Sequence, residues 1–286
     1  MKINNIYVMY FVIIAFILHL LYYILEKISD HLSFRPGKIT DVDVNNLKKT
    51  FGKYMKLGKI TTDDGQYLHY ALYNDHKIPT WDDNITFYCH GNAGWIGTSL
   101  NGTLCSELSK YGSVFVFDYR GYGLSTGSPT ESGLYKDVKS AWNFVTNIKK
   151  VSVDNIVVYG HSLGTSISSY LMKYLHDNGK KLPKTLILSA PFYNFATIST
   201  DLHPGIGRFN TNIFATNEYL KAIKNHINLI YIHSKNDEMI HHYHSYKLNI
   251  EAPGEFYMID GTHSGSILSD SSRTAIYKAC KISMRK

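Results

Sequence analysis

The sequence predicts one α/β domain, a mostly parallel doubly wound sheet, preceded by an N-terminal transmembrane helix. Three observations predict it. Apolar runs of strand length alternate with helical patterns from Asn84 to Ile259. Glycine-rich polar motifs fall just beyond those runs, where open α/β sheets keep their ligand sites. Ile6 to Leu25 is an unbroken stretch of twenty residues with no formal charge.

Taken in order, Ile6 to Leu25 is long enough, at about 1.5 Å per residue, to cross a hydrocarbon layer roughly 30 Å thick. It runs into Glu26-Lys27 with no small-x-small cleavage site, unlike a secretory signal. Tyr7, Tyr10, Tyr22 and Tyr23 lie towards its ends, where amphipathic rings favour the interface. A buried core helix is the competing reading. Lys27, Arg35 and Lys38 outnumber Lys2 and the amino terminus only slightly, a small bias towards a cytoplasmic catalytic domain. The sequons at Asn84 and Asn101 would matter only on the lumenal side. The membrane side therefore stays open, and the endoplasmic reticulum or another endomembrane is compatible. Residues 1–28 read as the anchor and 29–56 as a linker, because Phe34 to Phe51 has no clean periodicity. Residues 57–286 read as the α/β domain.

Composition agrees with that division. The 286 residues, 44% hydrophobic and 19% charged, suit one large domain with an appendage and give no sign of disorder. A formal charge of +7 allows contact with anionic lipid or nucleic acid; without a Lys/Arg run of five, the membrane is favoured and no nucleic-acid partner is expected. Cys89, Cys105 and Cys280 are too few and too scattered for a disulfide framework or a zinc site.

Within the domain, Lys59 to Thr62, the turn Asp63-Asp64-Gly65 and Tyr67 to Tyr73 form a predicted antiparallel hairpin. Asn84 to Tyr88 is the next strand, ending on His90-Gly91-Asn92-Ala93-Gly94. Val114 to Asp118 follows. Ser128-Pro129-Thr130-Glu131 then reads as a helix start with Pro at the first helical position. Leu134, Val138, Ala141, Trp142, Val145 and Ile148 give that helix one apolar face. Asn155 to Tyr159, Thr185 to Leu188, Leu229 to His233 and Glu255 to Ile259 complete the strands.

The strand at Asn155 runs straight into Gly160-His161-Ser162-Leu163-Gly164, a nucleophile elbow. A serine held on so sharp a turn needs glycines two residues to either side, and the helix after it points its N–H groups and dipole at charge developing beside Ser162. The amides of the glycine loop at 90–94 and of Leu163 are the expected oxyanion donors. Serine needs a base, and the base an acid. Of fourteen histidines, His263 sits in a polar glycine-flanked loop after the last strand. Asp237 follows the strand Leu229 to His233, with Glu238 and Asp260 as rivals. The chain order Ser162, Asp237, His263 suits an elbow nucleophile. His241, His242 and His244 lack a carboxylate or cysteine partner and read as a solvated helix start; His90 and His161 read as packing residues. Phe192, Phe195, Ile198, Phe209, Ile213 and Phe214 could line an acyl pocket. No phosphate loop, nucleotide fingerprint or metal cluster is present in the sequence, and no cofactor is implied.

HGNAG at 90–94, FDYRGYGLSTGSPTESGL at 117–134, GHSLGT at 160–165, SAPF at 189–192 and IHSKND at 232–237 together resemble the α/β-hydrolase-domain serine hydrolases of the Bem46 and monoacylglycerol or lysophosphatidylserine lipase group. The resemblance covers most of 57–280. It implies an α/β-hydrolase fold with Ser162 as nucleophile, His263 as base, Asp237 as acid and the amide of Asn92 in the oxyanion hole. It also implies a membrane-anchored enzyme acting on lipid-derived esters; the chain departs from the group in being short and in carrying a compact aromatic insert, a short lid at about 192–225. A thioesterase that removes palmitate from proteins would use the same triad. The reading of another class, a membrane-tethered scaffold without catalysis, would usually lack a triad member. Serine at the elbow argues against epoxide hydrolases and dehalogenases, which carry Asp there.

Overall fold

The computed structural model describes residues 2–37, 39–100, 103–205, 207, 210–211, 213–263 and 270–283. Eight strands form the main sheet: β1 (Met55–Thr61), β2 (Tyr67–Tyr73), β3 (Ile85–Cys89), β4 (Ser113–Phe117), β5 (Ile156–His161), β6 (Thr185–Ser189), β7 (Asn228–Ser234) and β8 (Glu255–Ile259). Their spatial order is β1-β2-β4-β3-β5-β6-β7-β8. From β4 to β8 every pairing is parallel, and the β1–β2 hairpin joins β4 antiparallel at one edge.

The central strands are apolar on both faces because helices cover both faces. Side chains alternate between two layers. Phe87, Phe115, Phe117, Val158 and Leu188 pack under α5 (Glu131–Asn143), α6 (Leu163–Asp177) and α8 (Thr216–Ile223). Tyr88, Val114, Val116, Val157 and Ile187 pack on the other face, with α3 (Ile96–Leu100), α4 (Thr103–Ser109) and α10 (Asp270–Ser283). Register brings the carboxyl ends into line: Cys89 is opposite Gly160, His161 opposite Ser189, Ser189 opposite Ile232 and Ser234 opposite Ile259. All the chemistry-bearing loops therefore leave one edge of the sheet.

Several sequence expectations change in the folded chain. The segment 34–51 is not irregular: it contains α2 (Asp41–Phe51), started by Thr40, whose N–H and hydroxyl both donate to Asp43 Oδ2 at 2.7 and 2.8 Å. Only Val44 and Leu47 of this helix are buried, too narrow an apolar face to read as a period. The cap of α5 is Thr130, not Ser128; its hydroxyl accepts from Gly133 N at 3.0 Å, and Pro129 lies outside the helix. Ile148 is exposed, because the helix continues from Phe144 to Ile148 as a π turn that rotates it off the apolar face. The insert at 192–225 holds α7 (Phe195–Leu202) and α8; α8 packs on α6 with Leu220 and Ile223 buried, so only the part before Thr216 overlies the sheet edge.

α1 (Lys2–Ser33) is, among the described residues, the one helix long and apolar enough to cross a membrane, over Tyr7–His31 with mean hydropathy 2.4. Its apolar stretch from Tyr7 to Leu25 is exposed throughout, unlike a core helix, and only near its end do Ser29 and Asp30 become buried.

Arg120, at the start of the loop after β4, donates to Asp137 of α5 through its backbone N (2.7 Å), Nε (2.9 Å) and Nη2 (2.8 Å), and reaches Asp64 in the hairpin turn. Asp137 is fully buried. Asp137→Ala leaves the guanidinium without its inner partner and is expected to destabilise the domain by about 3–5 kcal/mol in urea unfolding. A loss under about 1 kcal/mol would show that Asp64 alone compensates Arg120.

Candidate active site

β5 ends in a turn that no ordinary backbone would hold. Ser162 has φ 51 and ψ −119, a conformation that side-chain-bearing residues rarely adopt. Two close approaches hold it there. A Cβ on Gly164 would lie 2.0 Å from the Cys89 carbonyl oxygen, and one on Gly160 would lie 2.5 Å from the Gly164 oxygen and from Ser168 Oγ. The Ser162 N–H donates to Ser189 O on β6 at 2.9 Å, and Thr165 N donates back to Ser162 O at 2.9 Å. Gly164→Ala drives a methyl into a backbone oxygen that cannot rotate away. It is expected to cost at least about 3 kcal/mol and to abolish serine labelling, as read by thermal melting and an active-site probe. Near-native stability in this variant would mean that β3 and α6 can separate.

The loops after β7 and β8 bring up the partners. Asp237 Oδ1 accepts from Met239 N (3.0 Å) and Ile240 N (2.8 Å), which fixes the carboxylate plane. Asp237 Oδ2 accepts from His263 Nδ1 at 2.8 Å, and His263 Nε2 lies 3.2 Å from Ser162 Oγ. A carboxylate can only accept, so Nδ1 carries the proton and Nε2 is left as acceptor for the serine hydroxyl. Burial alone would raise the Asp237 pKa, but hydrogen bonds from His233 and His263 hold it below the usual carboxylate range. Glu238 is not the acid: its Oε2 accepts the His263 backbone N–H at 2.9 Å. Asp260 pairs with Lys235 at 2.7 Å and is exposed.

The other histidines divide by burial. His161 stacks beside His263 with ring centroids 5.2 Å apart, and desolvation pushes its pKa down to about 3. His90 is fully buried against Tyr119, with Nδ1 2.8 Å from Gly91 O and its pKa lowered to about 4 by burial. Both are neutral at ordinary pH. His244 is not at a solvated helix start: it is fully buried on α9 (Tyr243–Glu251), 3.0 Å from Asp201 of α7. Among the described residues no group of His, Cys, Asp or Glu is arranged to hold a metal ion.

Ser162 and His263 open on a cavity of about 680 Å³ that Asn92, Leu163, Phe192, Phe195 and Ile198 also line. The Asn92 side chain is committed elsewhere. Its Oδ1 accepts from Tyr122 OH (2.8 Å) and Arg35 N (3.3 Å), and Nδ2 donates to Ser33 O (2.7 Å). Its backbone amide is the donor that would serve an oxyanion. Ile213 and Phe214 do not reach the cavity: Ile213 faces solvent, and Phe214 is buried against Phe34, Tyr135 and Phe195. Phe209 lies outside the described residues.

A family model described as serine aminopeptidase, S33, in the group Hydrolase_4, matches residues 83–256, the span that holds the elbow and the acid loop. The chain belongs to this S33 hydrolase family. An uncharacterized protein of Acanthamoeba polyphaga mimivirus is 31% identical to the S33 chain over 242 residues, 76% of this chain and 82% of that protein. The lysophosphatidylserine lipase ABHD12 of Rattus norvegicus is 33% identical over 212 residues, 68% of this chain; the match spans 50% of the lipase's length. Among solved structures, an alpha-beta hydrolase of Vibrio vulnificus superposes with a TM-score of 0.67 at 19% identity, covering 90% of this chain and 89% of that one. An esterase of Pyrococcus furiosus gives 0.66 at 17%, covering 87% and 98%. These structural likenesses establish the α/β-hydrolase fold.

In this S33 hydrolase the sequence reading missed the residues that hold the glycine loop at 90–94 from outside. Arg35 and Pro36 pair in parallel with Ala93 and Gly94, and Gly37 N donates to Gly94 O at 3.0 Å. Tyr119 OH donates to His90 O at 2.8 Å. Tyr119 and Tyr122, in the motif after β4, aim their hydroxyls back at the loop before α3, which gives them a structural task. Glu131 likewise holds the end of the insert, accepting from Ile213 N (2.6 Å) and Phe214 N (2.7 Å).

Proposed function

We propose that this S33-family chain is a membrane-anchored serine hydrolase that cleaves carboxylic esters of lipid-like substrates, monoacylglycerol or lysophospholipid, through an acyl-enzyme. One observation carries the reading: the Asp237–His263–Ser162 chain of hydrogen bonds ends in a cavity whose walls are chiefly Leu25, Ile28, Phe192, Phe195, Ile198 and Leu202. An apolar chamber at a nucleophile suits a long acyl chain. The family description names aminopeptidases, which must hold an α-ammonium group. Among the described lining residues none is Asp or Glu, while Arg35 adds a cation suited to a phosphate headgroup.

In the proposed reaction Ser162 Oγ attacks the ester carbonyl carbon as its proton passes to His263 Nε2. Asp237 stabilises the resulting imidazolium. The amides of Asn92 and Leu163 hold the oxyanion, each such donor being worth on the order of 100-fold or more in turnover. Collapse of the tetrahedral intermediate breaks the carbon–oxygen bond to the alcohol, which leaves with the proton from Nε2. Water, deprotonated by the same nitrogen, then attacks the acyl-enzyme and releases the fatty acid and free Ser162.

The test is hydrolysis of long-chain monoacylglycerol, lysophospholipids and an acyl thioester by the purified full chain. Release from an oxygen ester supports the reading, and the better of the two classes names the headgroup. Turnover of the thioester alone moves the assignment to protein deacylation.

A further inference from the structure

The end of α1 is built into the site. Leu25, Ile28, Ser29 and Ser33 line the same cavity as Ser162 and His263. On a helix these four positions fall on one face. Earlier residues of α1 are widely exposed, yet Ser29 and Ser33 are buried, at 4% and 5% exposure. Ser29 Oγ donates to Asn210 Oδ1 (2.5 Å) and accepts from Thr211 N (3.0 Å). Asn210 Nδ2 donates to Ser33 Oγ at 2.8 Å, and the Ser33 carbonyl accepts from Asn92 Nδ2 at 2.7 Å. The helix is thus tied on one side to the insert over the cavity and on the other to the oxyanion loop.

We propose that the last two and a half turns of α1, Leu25 to Ser33, are a wall of the acyl-binding cavity, with Leu25 and Ile28 setting the chain length it accepts. The proposal rests on the lipid-ester reading above and goes beyond anchoring. An anchor need only tether, through any linker, whereas here the apolar face of α1 continues from its membrane-length segment to the nucleophile. Leu202 and Met239, both about half exposed, continue that apolar surface on the facing side. An acyl chain moving along α1 reaches Ser162 without passing through water, which is the costly step for a hydrocarbon.

The test uses the full chain in detergent micelles and two alkyl fluorophosphonates, one short-chain and one long-chain, which phosphonylate Ser162 with loss of fluoride. The readout is the ratio of long-chain to short-chain labelling rates. Leu25→Trp and Ile28→Trp are expected to lower it about tenfold or more, the scale on which apolar pockets discriminate chain size. Ile28→Ala enlarges the cavity and is expected to raise it about threefold, so the proposal stays testable if the tryptophan variants fail to accumulate. Ile17→Trp, higher on α1 and outside the cavity, leaves the ratio unchanged.

Ratios for the Leu25 and Ile28 variants equal to that of Ile17→Trp would overturn the proposal. A shifted ratio in a protein that hydrolyses no ester of the panel would retain the wall and sink the ester reading. A wild type that neither probe labels would overturn both.

Discussion

Ser162→Ala is expected to abolish fluorophosphonate labelling and to lower ester turnover by about 10⁶-fold, the scale seen when the nucleophile is removed from a working triad. The folded state should be little changed. Alanine keeps the Cβ that serine already carries at φ 51, and the bonds that hold the elbow come from the backbone: Ser162 N to Ser189 O and Thr165 N to Ser162 O. What is lost is the Oγ that faces His263 Nε2 at 3.2 Å. Thermal melting alongside the rate measurement separates the two effects. Turnover at a few per cent of wild type, in protein that melts normally, would place the nucleophile elsewhere.

Asp237→Asn is expected to lower kcat by about 10⁴-fold while leaving the fold intact. The amides of Met239 and Ile240 donate to Oδ1, so the asparagine keeps its carbonyl oxygen there and turns its NH₂ towards His263. Nδ1 must then accept, the ring proton moves to Nε2, and the histidine can no longer take a proton from Ser162. The same variant has a stability signature. The Asp237 pKa is depressed in the folded protein despite its burial, because His233 and His263 hydrogen-bond to it. A depressed carboxylate contributes stability that is complete above its unfolded value and is lost as pH falls through the folded one, so the window lies below about pH 4. Urea unfolding of wild type should weaken through that window, and the asparagine variant should weaken less. Equal acid slopes in the two proteins would show that Asp237 is not held as described. Glu238→Gln serves as the contrast, since a glutamine oxygen can still accept from His263 N.

Much of the sheet was legible because its central strands are buried on both faces and read as continuous apolar runs; the edge strand Glu255 to Ile259 was also placed to the residue, though only Ile259 in it is buried. The elbow was legible because its glycines are demanded by contacts within a few residues and with the neighbouring strand. The imidazole–carboxylate pair followed from loop position and chain order. What escaped depends on partners far away in sequence. His244 looked solvated because nothing near it is apolar enough to bury it, and its partner Asp201 is 43 residues distant on α7. Ser29 and Ser33 fall in the stretch read as a linker, because their partner Asn210 lies 181 and 177 residues away. Ser128 offered the stronger-looking start signal, but the backbone is extended at Thr130, which puts the cap there. α2 buries two side chains only, and so small a stripe leaves no period to detect.

The seating of α1 at the cavity has a kinetic meaning of its own. Under the proposed reading, a catalytic chamber entered along a membrane helix meets its substrate by lateral diffusion within one leaflet, so the rate follows the mole fraction of substrate in that surface rather than its amount per volume of buffer. Mixing an inert lipid into the same bilayer then competes by dilution in two dimensions, and adding more vesicles of unchanged composition does nothing once every enzyme is embedded. The liberated alcohol departs into water and the fatty acid stays behind in the leaflet, so product accumulates where the next substrate must come from.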